Sequence, residues 1–362
     1  MALVIIIIVI IASLAVFYLK CSMMQSLTTL WSSVLAVIIA FSYYEIVAEL
    51  FISRGYVLEW AQVICFVILL VVSFGILRTV SDFLIRVKID LGEPAILSMK
   101  IGCGLLTGFI ISGAVLTALG LAPLQVKLLY SRFNPESPVT LNRPNKPAVN
   151  TDGFVASLYS LTSSGSLSSG KSFGVLHADY LTQIHLNKLK VKEDVLPVCS
   201  RKTLTLRTGK NRKPIRQWEI PGVGDVVVIR VGIAARKVED GGANDATGRL
   251  IYFPAQFRLI TKPNDETETL QGKATALYPK GFLKQGNWTE TPLEEVITPE
   301  SREITNRVHW VDVAFEVPSG QKPALLEFKQ NAVIDLSSYT PVKTSPEIES
   351  ALDNDAQEEP EA

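Results

Sequence analysis

The string Gly165-Ser-Leu-Ser-Ser-Gly-Lys171-Ser172 has the G-x-x-x-x-G-K-S spacing of a phosphate-binding loop. Such a loop works between a strand and a helix, where its backbone N–H groups converge on phosphate. Here the preceding segment has helical spacing, Gly174 interrupts the helix that should follow, and no apolar strand ends in a metal-binding Asp. The nearest, Val308–Asp312, alternates. The string therefore reads as a flexible Ser/Gly connector, with an ATP-binding regulator using Lys171 as the remote alternative. His177, Asp179 and His185 are metal ligands by type, but their spacing fits no standard site, and with His309 they read as surface or helix-face residues. A serine nucleophile needs a glycine-flanked turn and His and Asp partners. The strand-rich part has no such turn, since Ser319-Gly320 follows a proline. The expectation is a non-enzyme without catalytic residues, cofactor or metal.

Two further groups could act through charge. Glu45 and Glu49 lie four residues apart, so they share one face near the end of an apolar helix. Carboxylates inside a membrane usually mark function. At a span end they are solvated, and the alternative is an ion or proton role in a transport or channel component. Arg201, Lys202, Arg207, Lys210, Arg212, Lys213 and Arg216 form a run without an acid. It is either a solvated loop or a contact for anionic lipid or an envelope polymer, and the acidic tail is a third partner.

The elements that must position these residues divide at a break in charge density. Residues 1–126 carry six Lys/Arg and six Asp/Glu, and the rest carries 29 of each. Ala2–Leu19, Leu27–Leu50, Trp60–Leu77 and Ile101–Leu121 fit the length of membrane spans. The first reaches about 27 Å, enough for a hydrocarbon core, and lacks the basic n-region of a cleaved signal peptide. Four spans place both termini on one side. Lys20, Arg78, Arg86, Lys88 and Lys100 in the first and third loops favour those loops as cytoplasmic, against Arg54, Lys127, Arg132, Arg143 and Lys146 opposite. Arg78–Leu91 reads equally as an interfacial helix or as an extension of the third span. Cys199 is alone after the spans, so no disulfide framework exists there. The net charge of zero offers no field for nucleic acid.

The fourth span is glycine-rich. Gly104 and Gly108 form a G-x-x-x-G pair, and Gly113 follows. Small residues let helix backbones approach closely, either inside the chain's own bundle or across a homo-oligomer. Four spans in the first 125 residues, a charged third loop and the segment Met99-Lys-Ile-Gly-Cys-Gly-Leu-Leu-Thr-Gly-Phe-Ile-Ile-Ser-Gly113 resemble the colicin V production (CvpA) family of bacterial inner-membrane proteins. The resemblance covers residues 1 to about 126. It implies a role in colicin V or toxin production or export and in maintenance of the cell envelope. Some relatives fuse such spans to an extracytoplasmic trypsin-like protease, which implies an outward-facing domain; their Gly-x-Ser-Gly type signature is missing here.

Residues 127–150, with Pro135, Pro138, Pro144 and Pro147, predict a semi-extended linker. Phe154, Val155, Leu158 and Leu161 predict a helix, and Ala178–Leu189 a second. Strands are expected over Val226–Val231, Leu250–Ile260, Val311–Val317, Leu325–Phe328 and Ala332–Leu336. Pro254 marks an edge or bulge. Residues 151–340 thus read as a mainly-β soluble domain, an antiparallel sandwich or barrel with one or two short helices. Residues 341–362 read as an acidic disordered tail. The expected whole is a four-helix membrane domain carrying a β-rich interaction domain, with the lipid bilayer and an unknown envelope protein or polymer as partners.

Overall fold

The computed structural model describes the chain except for residues 86–91, 125–129, 134–137, 165–171, 191–192, 194, 207–213, 221–223, 267–271, 273, 285–286 and 344–362. Among the described residues, four helices are long and apolar enough to cross a membrane: α1 (Ala2–Lys20), α2 (Met23–Ile52), α3 (Ala61–Leu84) and α4 (Glu93–Leu121). The protein is a multi-pass membrane protein with a β-rich region after its spans. Ser22 starts α2 with a capping box to Gln25. Gly92, at φ +83°, turns the chain into α4, where Pro94 occupies the first turn. α3 continues to Leu84, so the extension reading holds that far, and the remainder of the third loop lies outside the described residues.

Gly104 and Gly108 are used inside the bundle. A Cβ on Gly108 would lie 2.8 Å from the Ile10 Cα, and one on Gly104 would lie 3.2 Å from the Phe17 Cβ. The close approach that the G-x-x-x-G pair permits is therefore made by α1. Ser13 adds a hydroxyl donating 2.8 Å to the Gly104 carbonyl.

Three short helices follow: α5 (Thr151–Ser164), α6 (Phe173–Leu176) and α7 (Tyr180–Asn187). Val155, Ala156 and Tyr159 of α5, with Phe173, Tyr180 and Ile184, join one apolar cluster with Phe41, Tyr44, Phe66 and Ala114 of the spans. The described parts of the proline-rich linker also pack on the domain. Phe133 is buried against Leu186 and Ile251, and the Asn145 N–H donates to the Arg132 carbonyl.

The β region forms two sheets. The first runs β12 (Val342–Lys343), β2 (Ile215–Ile220), β3 (Gly224–Ala234), β9 (Val308–Phe315), β6 (Gly281–Lys284) and β7 (Asn287–Glu290). β1 (Leu204–Leu206) also pairs with β3, and β8 (Ile304–Thr305) with β9. The second has the order β11 (Ala332–Asp335), β10 (Gln321–Phe328), β4 (Phe257–Pro263), β5 (Thr275–Leu277). Alternation builds the core: Val227, Ile229, Val231 and Ile233 of β3 face Phe257, Leu259, Leu326 and Phe328 across the sandwich. The other face of the small sheet, with Arg258, Ile260, Leu325 and Glu327, meets α6 and α7. Two boundaries differ from expectation. Pro254 opens a 3-10 turn ahead of β4, a position that needs no N–H donated to a ladder. Val342–Lys343 pairs in parallel with β2, so the sheet extends past residue 340.

Candidate functional site

A chain of polar side chains runs from the second span into the small sheet. α2 is 30 residues long, about 45 Å, well beyond a hydrocarbon layer of about 30 Å. Its last turns are therefore free to receive the domain. Glu45 Oε1 lies 3.0 Å from His177 Nε2 and accepts the Tyr44 hydroxyl at 2.7 Å. Tyr180 donates to the Tyr44 oxygen at 3.2 Å. The opposite ring nitrogen, His177 Nδ1, lies 2.7 Å from Gln183 Oε1. The Gln183 amide donates to Glu327, and Arg258 donates 2.6 Å to the other Glu327 oxygen. Arg258 also donates to Asp179, which accepts the Tyr278 hydroxyl at 2.5 Å.

Both His177 nitrogens face acceptors, so the imidazolium is the form this geometry satisfies. Burial works against that charge, but the Glu45 carboxylate outweighs it and raises the His177 pKa above its ordinary value. Burial likewise opposes the Arg258 charge; Glu327 and Asp179 more than offset it. The result is a charge-alternating seam in which the donors meet acceptors, except for the buried Arg258 Nε.

Two further ties hold the domain on the bundle. Arg201 lies 3.4 Å from Glu49. Lys188 Nζ donates to the Leu119 and Ala122 carbonyls at 3.3 and 3.4 Å, capping the C-terminal end of α4, where a cation also suits the helix dipole. Burial brings the Lys188 pKa down to about 8. Both second-span carboxylates are thus engaged by the domain.

Beside the seam lies a cleft of about 790 Å³ between α2, α5, α6 and the β10–β11 hairpin. Phe41, Ile46, Tyr159, Phe173, Leu176 and Val333 form its apolar wall. Glu45, His177, Arg201, Glu327, Gln330, Asn331 and Asp335 supply polar groups. The hairpin tip is held in the left-handed region at Lys329 (φ 47°) and Gln330 (φ 71°), which disfavours residues with a Cβ by about 1–2 kcal/mol each. Contacts fix it: Lys329 Nζ donates 3.0 Å to the Ile251 carbonyl, and Asn331 accepts the Cys199 N–H at 3.2 Å and donates back to its carbonyl.

No family model, curated protein or solved structure matches the chain. The site is accordingly read from its own geometry.

That geometry corrects several sequence readings. Glu45 and Glu49 are domain-docking groups instead of solvated span-end residues. His177 and His185 are buried instead of lying at the surface. His177, Asp179 and His185 do not converge as ligands. His185 Nδ1 faces the Leu181 carbonyl at 2.8 Å, and burial with the nearby Lys188 charge lowers its pKa to about 3, so the ring is neutral. His309 is buried too, with Nε2 3.1 Å from the Tyr252 hydroxyl. The basic run is not one surface. Arg216 is 2 % exposed and paired with Asp312, which Arg230 also grips at 2.7 Å, so Arg216 is no contact for anionic partners. Lys202 is exposed, whereas Arg207, Lys210, Arg212 and Lys213 lie outside the described residues. So do residues 165–171 of the phosphate-loop string; a helix instead of a strand precedes it, and Ser172 is buried ahead of the four-residue α6. Cys199 is fully buried, and burial pushes its thiol up to about 12.

Gln183, Arg258, Glu327 and Lys188 escaped the sequence reading. A signal was present: Arg258 and Glu327 are charges flanked by apolar residues, in Phe257-Arg-Leu-Ile260 and Leu325-Leu-Glu-Phe328. Lone charges there need a partner, because an unpaired buried charge is prohibitive.

Proposed function

We propose that this protein is a non-enzymatic scaffold or accessory factor of the bacterial inner membrane, acting in envelope maintenance or in toxin production or export. Its β-rich interaction domain faces away from the cytoplasm and is held in a fixed pose on the four-helix bundle. The observation that supports this reading most is the seam from Glu45 through His177, Gln183 and Glu327 to Arg258. A cargo domain on a loose tether needs no buried ionic contact with its anchor. A platform that presents a surface at a set height and angle does.

The test is complementation of an envelope-stress defect in a strain lacking the protein. The full chain restores growth, and residues 1–126 alone do not. Restoration by the anchor alone, or a specific turnover by the purified protein, would contradict the proposal. For the side of the membrane, Arg302→Cys offers a thiol at a side chain 82 % exposed. A membrane-impermeant thiol reagent labels it in intact cells; labelling only after permeabilisation reverses the orientation.

A transport role draws on one observation, that Glu45 and His177 line the cleft together. Proton flux in liposomes that disappears in Glu45→Gln and Glu49→Gln would favour it over the scaffold.

A further inference from the structure

We infer that α5 is a fifth membrane-contacting element, lying in the outer acyl region of the bilayer with Phe154, Leu158 and Leu161 facing lipid. The inference is independent of the scaffold reading.

Helix α1 serves as a depth gauge. Its uncharged stretch Ala2–Leu19 spans about 27 Å, so nearly its whole length is needed to cross the hydrocarbon layer. Its start packs on Leu116 of α4 through Ala2 and Ile6, and its later turns face Gly108 and Gly104. The hydrocarbon edge on the domain side therefore falls near Leu116. α5 crosses α4 below that edge. A Cβ on Gly113 would lie 2.3 Å from the Thr151 carbonyl oxygen, and the Phe154 ring is centred 5.2 Å from Phe109. Gly113 and Phe109 precede Leu116 by three and seven residues, which is about 5 and 10 Å along the helix. That is the depth at which an interfacial helix buries its apolar face.

The surface of α5 fits the same place. Its inner face, Val155, Ala156 and Tyr159, is buried on the spans, and the Tyr159 hydroxyl sits 2.7 Å from the Ser42 hydroxyl. Its outer face exposes Phe154 (45 %) and Leu161 (71 %), with Ser157 exposed and Leu158 half-buried between them. This spacing is one helical stripe, continuous through Phe109 with the exposed Leu105 and Leu106 of α4. No charged residue occurs over Gly153–Gly170, and Asp152 is buried with the Tyr130 hydroxyl on it. Exposed large apolar side chains beside a span, without a charge among them, match acyl chains better than water. A helix without Lys or Arg gains nothing from anionic headgroups, so its insertion is indifferent to lipid charge.

The test uses the full chain in phosphatidylethanolamine–phosphatidylglycerol vesicles. An environment-sensitive fluorophore is placed at Ser157→Cys, Leu161→Cys or, as an aqueous control, Arg302→Cys; the four native cysteines are buried. Two quenchers are compared, aqueous iodide and a lipid nitroxide high on the acyl chain. The expected result is blue-shifted emission at residues 157 and 161, with nitroxide quenching several-fold stronger than iodide quenching and the reverse at residue 302. It persists when phosphatidylglycerol is replaced by phosphatidylcholine. Iodide quenching at 157 and 161 without nitroxide quenching would overturn the inference. Shielding from both quenchers would also overturn it, since a protein, a second copy included, would then cover this face. Ser157 is exposed and polar, so its variant leaves packing intact where Leu161→Cys loses contacts.

Discussion

At the scale of single residues, the Glu45–His177 pair is where the second span joins the seam. The His177 side chain is 3 % exposed and that of Glu45 27 %, so the pair is partly shielded from solvent. Hydrogen bonds to charged groups contribute about 1.5–3 kcal/mol net. Glu45→Gln is expected to lower the unfolding free energy of the protein in nanodiscs by about that amount. His177→Gln should act similarly, and the double substitution should cost clearly less than the two losses summed, because both remove one interaction. A pH dependence follows from the raised His177 pKa. Its folded value exceeds the ordinary value of about 6.5, so the charge-dependent stability is complete below that pH and is lost as pH rises through the folded value. The thermal-midpoint gap between wild type and His177→Gln should be widest below about pH 6.5 and shrink above it. A constant gap would show that the imidazole works only as a spacer.

At the scale of elements, the helix contacts depend on missing side chains. Gly113→Leu would drive carbon into the Thr151 carbonyl and Val155, displacing α5 from α4. Overpacking of this kind costs about 1–3 kcal/mol. Gly102→Ala meets no atom within 4 Å and should be close to neutral, which separates packing from helix propensity. Comparative melting of the two variants measures this directly. The elements themselves were largely legible. Uncharged runs announced the spans, an apolar run announced β3, alternation announced β9, and helical spacing announced α5. Pro254 lies inside the expected strand Leu250–Ile260, but its ring opens a 3-10 turn and β4 starts only at Phe257. The seam was hidden for a different reason. Glu45, His177, Arg258 and Glu327 are far apart in the chain, and no spacing in the sequence pairs them. Only tertiary packing of the small sheet's outer face against α6, α7 and α2 shows that they need one another. Arg201 and Arg216 share one basic run, yet one docks on a span and the other is sealed inside a sheet.

For the whole molecule, the charge break near residue 126 separates two compositions but not two independent bodies. Ties that cross it include Glu45 to His177, Glu49 to Arg201, Lys188 to the end of α4, and α5 to Gly113. The central claim is that these ties fix the β domain on the bundle. Double electron–electron resonance tests it most directly, with spin labels at Val71→Cys on the lipid-facing side of α3 and at Arg302→Cys in the domain, both exposed. One narrow distance distribution is expected in nanodiscs, and it should broaden in the Glu45→Gln, Glu49→Gln background. A broad distribution with the seam intact would contradict the account.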